Sequence, residues 1–209
     1  MQVKIVPATV KGTAIAPASK SVMQRACAAS LLRKGTTLIH NYGSSEDDKA
    51  ALAIIGELGA EIKIISERTL EISATGKIRL RPDASLHCGE SGLSLRMFSS
   101  IAALGNGVVN ISGAGSLLHR PVRFLEEILP ALGVRVTLTD GRLPLQLKGP
   151  LHPENITIDG SLTSQLLTGL LMAYAIAAEK EVMIEVLDLK SKPYIDLTLK
   201  VMEDFGMPV

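Results

Sequence analysis

The sequence predicts an α/β (α+β) protein built from three copies of a strand–helix–strand–helix–strand–strand unit, the third copy being truncated. Three kinds of landmark recur every 72–74 residues, namely helix-ending glycines, centres of apolar strands and helix-starting serines: Gly59, Gly133, Gly206; Leu38, Ile111, Ile184; Ser19, Ser91, Ser164. A period of this length indicates supersecondary units that bury a shared core. We therefore expect a pseudo-threefold arrangement of the copies.

The first copy is predicted from apolar periodicity and from residues that begin or end elements. Its strand, helix, strand, helix and hairpin are predicted at 13–16, 19–32, 36–40, 47–58, and 61–65 with 69–73. Gly35 closes the first helix, as a C-terminal glycine commonly does. Ser45 followed by acidic residues is typical of a helix start, where the helix dipole favours carboxylates. Alternating polarity in the last two segments favours a hairpin.

The second copy repeats this order, and the third supplies only its first four elements. The second-copy elements are predicted at 85–88, 92–104, 108–112, 121–132, and 135–138 with 143–147. The third-copy elements are predicted at 156–159, 164–178, 181–187 and 193–205. Pro121 suits a first helical turn, and Asp140-Gly141 is a typical hairpin turn. Because the third hairpin is missing, we expect a fragment of a longer chain or half of a split one.

Composition indicates an aliphatic core and weighs against several classes of partner. Hydrophobic residues make up 46% of the 209 residues, whereas aromatic residues make up 3% and tryptophan is absent. A net charge of +1 gives no reason to expect nucleic-acid or membrane-surface binding. The longest apolar run, 166–178, is too short to span a bilayer. Residues 1–5 are predicted to be a strand rather than a signal peptide, so we expect a cytoplasmic protein.

Cysteine and histidine usage predicts neither disulfides nor a metal cofactor. Cys27 and Cys88 provide no disulfide framework and favour a reducing compartment. The two cysteines and four histidines lack the spacing of metal ligands. Cys88 has no evident histidine partner, so a buried hydrophobic role is favoured over that of a nucleophile.

Three helix starts share one chemical character. Each follows a predicted strand and places small polar residues at a helix N-terminus, at 17–21, 89–92 and 161–165. Free N–H groups and the positive end of the helix dipole suit such positions to anions. Four cations lie in or beside them: Lys20, Arg25, Arg96 and Arg120. We predict one pocket for a phosphorylated and carboxylated small molecule. The alternative is that these serines and threonines only cap helices.

Five motifs, in this order, resemble the 5-enolpyruvylshikimate-3-phosphate synthase family over essentially the whole chain. They are Ser19-Lys20-Ser21 with Arg25, Gly89-Glu90-Ser91-Gly92 with Arg96, His119-Arg120-Pro121-Val122, Thr163-Ser164-Gln165-Leu166-Leu167-Thr168, and Ser191-Lys192-Pro193-Tyr194-Ile195-Asp196. The resemblance implies an enolpyruvyl-transferase-type fold of two similar domains, each with three βαβαββ units. It also implies transfer of the enolpyruvyl group of phosphoenolpyruvate to the 5-hydroxyl of shikimate-3-phosphate by addition and elimination, without a cofactor.

The resemblance also divides the chain. Residues 1–12 would be a strand that in the family crosses to the other domain, and 13–209 would be the shikimate-3-phosphate-binding domain, incomplete at its end. The second domain, which in the family supplies acid and base carboxylates and further cations, is expected to be the missing partner. The chain alone is expected to bind substrate weakly without turning it over, because half of the contacts would be absent.

The resemblance assigns the shikimate-3-phosphate contacts residue by residue. Ser21 and Arg25 would hold the shikimate carboxylate, because a planar guanidinium can pair with a carboxylate through two hydrogen bonds. Thr163, Ser164 and Ser191 would bind the 3-phosphate through hydroxyl groups and helix N-terminal amides.

The remaining assignments concern the ring and phosphoenolpyruvate. Gln165 and Tyr194 would lie against the ring or its polar edge. Lys20 and Arg120 would be catalytic, contacting phosphoenolpyruvate and stabilising charge in the tetrahedral intermediate. Gly92 would let the backbone approach phosphoenolpyruvate. The alternatives are a solvated first-turn lysine for Lys20 and a half-buried core aromatic for Tyr194. Arg96 is assigned to packing or an ion pair.

The second helix start departs from the family pattern. The family commonly has Gly-Asn-Ala-Gly-Thr there, whereas this chain has Glu90 and Leu93 in place of the asparagine and the threonine, which could alter how phosphoenolpyruvate is tolerated. Alternative identities are a UDP-N-acetylglucosamine enolpyruvyl transferase-like enzyme, a non-catalytic binding fragment, or an RNA-processing enzyme of related repeat architecture. Lys20-Ser21 and the 191–196 motif favour the shikimate branch, and the near-neutral charge disfavours the RNA enzyme.

Overall fold

The computed structural model describes residues 2–161 and 164–208. Within them the helices are α1 Lys20–Leu32, α2 Glu46–Glu57, α3 Gly92–Ala102, α4 Phe124–Ile128, α5 Ser164–Ala177 and α6 Lys192–Asp204. The strands are β1 Lys34–His40, β2 Glu61–Ser66, β3 Thr69–Thr75, β4 Ala84–His87, β5 Val108–Ser112, β6 Arg135–Thr139, β7 Arg142–Lys148, β8 Ile156–Asp159 and β9 Ile184–Leu187. Two short 3₁₀ helices span Gly115–His119 and Leu129–Leu132.

Each of the other two copies shares part of the strand pairing of the second copy. In the second copy β4 pairs with β5 in parallel, β5 pairs with β7 antiparallel, and β7 pairs with β6 antiparallel. The first copy shows the antiparallel part of this pattern, in the order β1–β3–β2. The third copy shows the parallel part, β8 with β9. Among the described residues, the pattern is therefore complete in the second copy and partial in the other two.

The equivalent helices of the three copies form the centre of the molecule. α1, α3 and α5 contact one another, and α6 packs against α1 and α5. α1 and α3 are buried along most of their length. The core is mainly leucine, isoleucine, valine, alanine and methionine, as the composition predicted.

Two strands predicted near the N-terminus are wrong. Residues 2–5 and 13–16 form no strand, every residue from 2 to 17 is exposed, and Met1 lies outside the described residues. Pro7, Gly12 and Pro17 interrupt this segment. β-propensity reflects packing against neighbouring strands, and these residues have no such neighbour.

The helix predicted at 121–132 is wrong in part. An α-helix covers only Phe124–Ile128 and passes into the 3₁₀ helix Leu129–Leu132. Pro130 has no N–H group, so the α-helical hydrogen-bond pattern cannot continue through it. The other predicted elements agree with the structure to within about three residues at each end.

Both cysteines lie in the core. Burial raises the pKa of the Cys88 thiol to about 12, and the pKa of Cys27 is raised by burial and by the negative charge of Asp48. A thiol that stays protonated at neutral pH is a poor nucleophile, so the hydrophobic role predicted for Cys88 is confirmed. No helix in the described part of the chain is long and apolar enough to cross a bilayer.

Gly169 sets the distance between α3 and α5. A Cβ atom at Gly169 would lie 2.8 Å from the Cα of Met97 and closer still to the Met97 carbonyl oxygen. The two helices therefore meet backbone to backbone, which a larger residue would prevent.

We expect Gly169→Ala to lower the free energy of unfolding by about 1–3 kcal/mol, because the added methyl group must push α3 from α5. Urea denaturation at fixed pH measures the change. Gly56→Ala in α2 is the matched control, since its Cβ would meet nothing closer than Ile62 at 3.8 Å. Alanine's better helix propensity should leave the control unchanged or about 1 kcal/mol more stable. Equal effects of the two substitutions would contradict the close approach.

Candidate binding site

A cavity of about 530 Å³ opens where the N-terminal ends of α1, α3, α5 and α6 meet. Nine of the ten residues predicted for the site line it: Lys20, Ser21, Arg25, Gly92, Arg120, Ser164, Gln165, Ser191 and Tyr194. The tenth, Thr163, lies outside the described residues. The lining also includes polar and charged residues to which the sequence assigned no binding role: Gln24, Asp47, Glu90, Arg96, Ser161 and Lys190.

Two serines at the helix starts are helix caps. The Ser19 hydroxyl accepts the N–H of Val22 at 3.4 Å, and the Ser91 hydroxyl accepts the N–H of Ser94 at 3.1 Å. The capping alternative therefore holds for these two serines. Helix capping by these serines is compatible with a binding pocket, because other residues at the same helix starts line the cavity.

Ser191, at the start of α6, behaves differently from those caps. Its φ of 58° lies in the left-handed region, which is unfavourable for a residue with a side chain, and its hydroxyl makes no capping hydrogen bond. Ser191 and Lys190 both line the cavity. Backbone strain of this kind is concentrated at ligand-binding positions, because the surrounding structure must hold it there.

Arg25 is the most deeply buried cation of the site, with 1% of its surface exposed. Its Nε donates to the hydroxyl of Thr198 at 2.9 Å, and its Nη1 donates to the carbonyl of Ser21 at 2.8 Å. Its Nη2 donates to the hydroxyl of Thr168 at 3.3 Å and to the carbonyl of Tyr194 at 3.4 Å. α1 is thus tied to α5 and α6 through one side chain.

The charge of Arg25 has no carboxylate partner among the described residues. Burial lowers the pKa of Arg25 to about 10, and the nearby Tyr194 opposes this shift. A buried cation balanced only by hydroxyl and carbonyl dipoles favours an anion at the adjacent cavity. Among the described residues, four of the five guanidinium N–H groups have acceptors, so one Nη1 N–H remains for a ligand and the two-bond fork expected from the sequence is not presented.

Gly92 lies beneath two guanidinium groups. A Cβ atom at Gly92 would lie 2.7 Å from Nη1 of Arg96 and 2.9 Å from Nη1 of Arg120. The missing side chain therefore makes room for both cations at the start of α3. Two like charges this close repel each other, and an anion between them would relieve the repulsion.

Arg96, which the sequence placed among the cations near the helix starts but assigned to packing or an ion pair, lines the cavity. Its Nη1 donates to the carbonyl of Gly92 at 3.2 Å and to Oε1 of Gln165 at 3.3 Å, while its guanidinium lies 5.6 Å from the ring centre of Phe124. Its Nε is buried and has no hydrogen-bond partner in the part of the chain that the structure describes. Burial and the charge of Arg120 both lower the pKa of Arg96.

Arg25 and Arg96 make the same kind of contact with the backbone of their own helices. Arg25 donates to the carbonyl of the residue four positions earlier, Ser21, and Arg96 donates to the carbonyl four positions earlier, Gly92. A similar contact thus occurs near the starts of α1 and α3, although Arg25 is the sixth residue after the cap Ser19 and Arg96 is the fifth after the cap Ser91.

Lys20 forms an ion pair with Asp47, with Nζ 2.8 Å from Oδ2. Because 55% of the Lys20 side chain is exposed, this pair contributes at most about 1 kcal/mol and leaves the lysine able to move. The acidic first turn of α2 has the predicted capping role, since Ser45 and Asp48 form a reciprocal capping box. Asp47 has the additional contact with Lys20, which the sequence did not indicate.

Gln24 connects the starts of α1 and α3. It is 1% exposed, and its Oε1 accepts hydrogen bonds from the hydroxyls of Ser91 at 3.0 Å and Ser94 at 2.9 Å. Gln24 also lines the cavity. This buried contact holds the start of α3, at Gly92, at a fixed position relative to Arg25.

Ser164, Gln165 and Tyr194 complete the wall from α5 and α6. Ser164 is buried at the first residue of α5, and its carbonyl accepts from the Thr168 hydroxyl at 3.1 Å. Tyr194 is 51% exposed, so the half-buried core role considered for it does not match the structure. Its carbonyl accepts from Arg25, and its side chain is open to a ligand.

Comparison with known proteins decides the family. Residues 6–209 match the family described as EPSP synthase (3-phosphoshikimate 1-carboxyvinyltransferase). The chain belongs to the EPSP synthase family. Curated relatives named 3-phosphoshikimate 1-carboxyvinyltransferase are 34% identical over 206 residues in Klebsiella pneumoniae and 35% identical over 207 residues in Yersinia pestis. The EPSP synthase structure from Acinetobacter baumannii superimposes with a TM-score of 0.79 at 25% identity.

The chain spans about half the length of these EPSP synthases. The two curated relatives are covered over 48% of their length by 97% of this chain. The Acinetobacter baumannii structure is covered over 44% of its length by 92% of this chain. The family resemblance and the α/β fold expected from the sequence are confirmed, and the roles of individual site residues stay predictions.

The burial of Arg25 makes its hydroxyl partners important for stability. Thr198→Val removes the acceptor of Nε and leaves a buried, charged N–H unpaired, so we expect unfolding to be easier by about 1–3 kcal/mol. The measurement is urea denaturation. Thr36→Val on the exposed face of β1 is the matched control and should change stability by less than about 0.5 kcal/mol. If Thr198→Val changes stability no more than this control, the hydrogen bond to Arg25 is not a stabilising contact.

Proposed function

We propose that this chain binds shikimate-3-phosphate and forms one half of an enzyme that transfers the enolpyruvyl group of phosphoenolpyruvate to the 5-hydroxyl of that substrate, releasing phosphate. The observation that carries the proposal is the convergence of two groups of cations on one cavity. Buried Arg25 lines the cavity from α1, and Arg96 and Arg120 line it with their guanidinium groups over Gly92. Two anionic substrates would each need such a group.

The shikimate-3-phosphate side is proposed to be the wall of α1, α5 and α6. Ser21 and Arg25 would hold the carboxylate, with Arg25 acting through its charge and its remaining Nη1 N–H. Ser164 and Ser191, at the starts of α5 and α6, would bind the 3-phosphate together with Thr163. Hydroxyls and helix N-terminal amides are suited to a phosphate because both donate hydrogen bonds to its oxygens.

The ring and the phosphoenolpyruvate side complete the proposal. Gln165 and Tyr194 would contact the shikimate ring or its polar edge. Lys20 and Arg120 would bind phosphoenolpyruvate and stabilise the negative charge of the tetrahedral adduct, which forms when the 5-hydroxyl adds to the enol carbon. Gly92 would let the backbone approach phosphoenolpyruvate. A carboxylate from a second domain would move the protons of addition and elimination.

A titration of the chain with shikimate-3-phosphate tests the binding half of the proposal. We expect amide signals of residues lining the cavity to shift at millimolar ligand or below, and Arg25→Ala to weaken the response at least about tenfold, because it removes the buried positive charge. Arg33→Ala, at the exposed end of α1, is the matched control and should bind as the unaltered chain does. UDP-N-acetylglucosamine should cause no shift. An unchanged affinity of Arg25→Ala would remove this arginine from the site.

A turnover measurement tests whether catalysis needs both halves of the enzyme. The curated relatives are about twice as long as this chain. We therefore expect no release of phosphate from phosphoenolpyruvate and shikimate-3-phosphate by the chain alone, and release when the remaining half of a relative is added as a second polypeptide. Phosphate release by the chain alone, abolished by Arg120→Ala, would contradict the half-site assignment.

A further inference from the structure

Glu90 lies in the turn that precedes α3, where the family commonly has asparagine, and lines the cavity without having been assigned a role. Its carboxylate accepts the backbone N–H of Ser116 at 3.0 Å. A second hydrogen bond runs beside it, from the N–H of Ala114 to the carbonyl of Gly89 at 2.7 Å. The turn before α3 is thus joined by two hydrogen bonds to the segment that follows β5.

Gly115 shows how closely Glu90 is seated on this segment. A Cβ atom at Gly115 would lie 2.5 and 2.6 Å from the two carboxylate oxygens of Glu90. Gly115 also has a φ of +52°, which glycine adopts without a steric penalty. The carboxylate therefore packs directly on the backbone of Gly115 while it accepts from Ser116, and a side chain at position 115 would displace it.

Residues 115–120, here called the Arg120 arm, connect this contact to the cavity. They form the 3₁₀ helix Gly115–His119, closed by a hydrogen bond from the N–H of Arg120 to the carbonyl of Leu117 at 3.2 Å. Leu117 is fully buried, but Arg120 itself is exposed. The place of its guanidinium above Gly92 therefore depends on where the backbone of the arm is held.

The charges around Glu90 are consistent with this contact. Its hydrogen bonds with Ser116 are the main cause that lowers the pKa of Glu90, and the charge of Arg120 lowers it further. Asp47, which pairs with Lys20, opposes the shift. Glu90 is therefore ionised at neutral pH, with its carboxylate directed to the arm rather than to an ion pair of the kind that Asp47 forms.

We propose that Glu90 is a positioning residue whose carboxylate holds the Arg120 arm and thereby places the Arg120 guanidinium over Gly92. The identity of the anion that Arg120 meets rests on the proposed function. The attachment of the arm does not, so the two ideas can fail separately.

Hydrogen exchange of the unliganded chain tests the attachment. In Glu90→Ala the Ser116 amide loses its acceptor and should exchange about fivefold faster or more, whereas Glu90→Gln keeps an acceptor oxygen and should stay close to the unaltered chain. Glu127→Ala, an exposed glutamate of α4, is the matched control. Ser116 exchange that is equally fast in the unaltered chain and in Glu90→Ala would overturn the proposal.

A double-substitution cycle tests the packing of Glu90 on Gly115. Gly115→Ala adds backbone strain in any background, but the clash with the carboxylate exists only when Glu90 is present. Gly115→Ala should therefore shift the urea midpoint more in the unaltered chain than in Glu90→Ala. Equal shifts in the two backgrounds would show that the carboxylate does not rest on Gly115 and would overturn the proposal.

Binding of inorganic phosphate, followed by the Gly92 amide shift, separates positioning from charge. If Glu90 only repels anions, Glu90→Ala and Glu90→Gln should both bind phosphate more tightly. If it positions Arg120, Glu90→Ala should bind about fivefold more weakly and Glu90→Gln should not, and the loss should vanish in the Arg120→Ala background. Tighter binding by both Glu90 variants would overturn the proposal. Absence of any phosphate response would count against the proposed function, and the exchange and cycle measurements would then decide the role of Glu90.

Discussion

A buried guanidinium group joins the parts of the chain that form the cavity. Arg25 projects from α1 and is held by hydroxyls of α5 and α6 and by backbone carbonyls, with no carboxylate partner among the described residues. Transfer of a charge out of water is costly, and hydroxyl and carbonyl dipoles compensate for only part of that cost. An anion in the adjacent cavity would compensate for more of it, so the folded chain is suited to a ligand of that charge.

Close backbone approach provides the second constraint. Gly169 lets α3 and α5 meet without side chains between them, and Gly92 leaves space that Arg96 and Arg120 occupy. At position 169 a methyl group would collide with the Met97 backbone, and at position 92 it would displace the ends of the two arginine side chains. The packing of α3 against α5 and the position of the two guanidinium groups therefore both depend on a glycine that leaves room for a neighbouring group.

Most of the fold could be predicted because the repeat indicated where most of the helices and strands begin and end. A helix recognised in one copy located its counterparts in the other two, even where propensity alone was weak. The exceptions have local causes. The N-terminal extended segment has no neighbouring strand to pair with. Pro130 prevents a continuous α-helix, and this interruption could have been predicted from the sequence.

The site was predictable to the extent that it depends on helix starts. Residues tied to those starts come together, because equivalent helices of the copies meet at their N-terminal ends. Gln24 and Asp47 could not be found this way, since their contribution depends on which helix face meets the cavity and on partners distant in sequence. Glu90 was noticed as a departure from the family pattern, but its contact with the backbone of Ser116 required coordinates.

The central claim is that Arg25 is a buried cation without a carboxylate partner among the described residues, and that an anionic ligand binds it. The side-chain nitrogen signals of Arg25 test this claim most directly. In the unliganded chain, the Nε–H should exchange slowly with water because Thr198 accepts its hydrogen bond. Addition of shikimate-3-phosphate should shift the Nη1 signals and slow their exchange, while the Nε signal changes little. Binding of the ligand with no change at Nη1, or Nε exchange as fast as that of the exposed Arg33, would contradict the account.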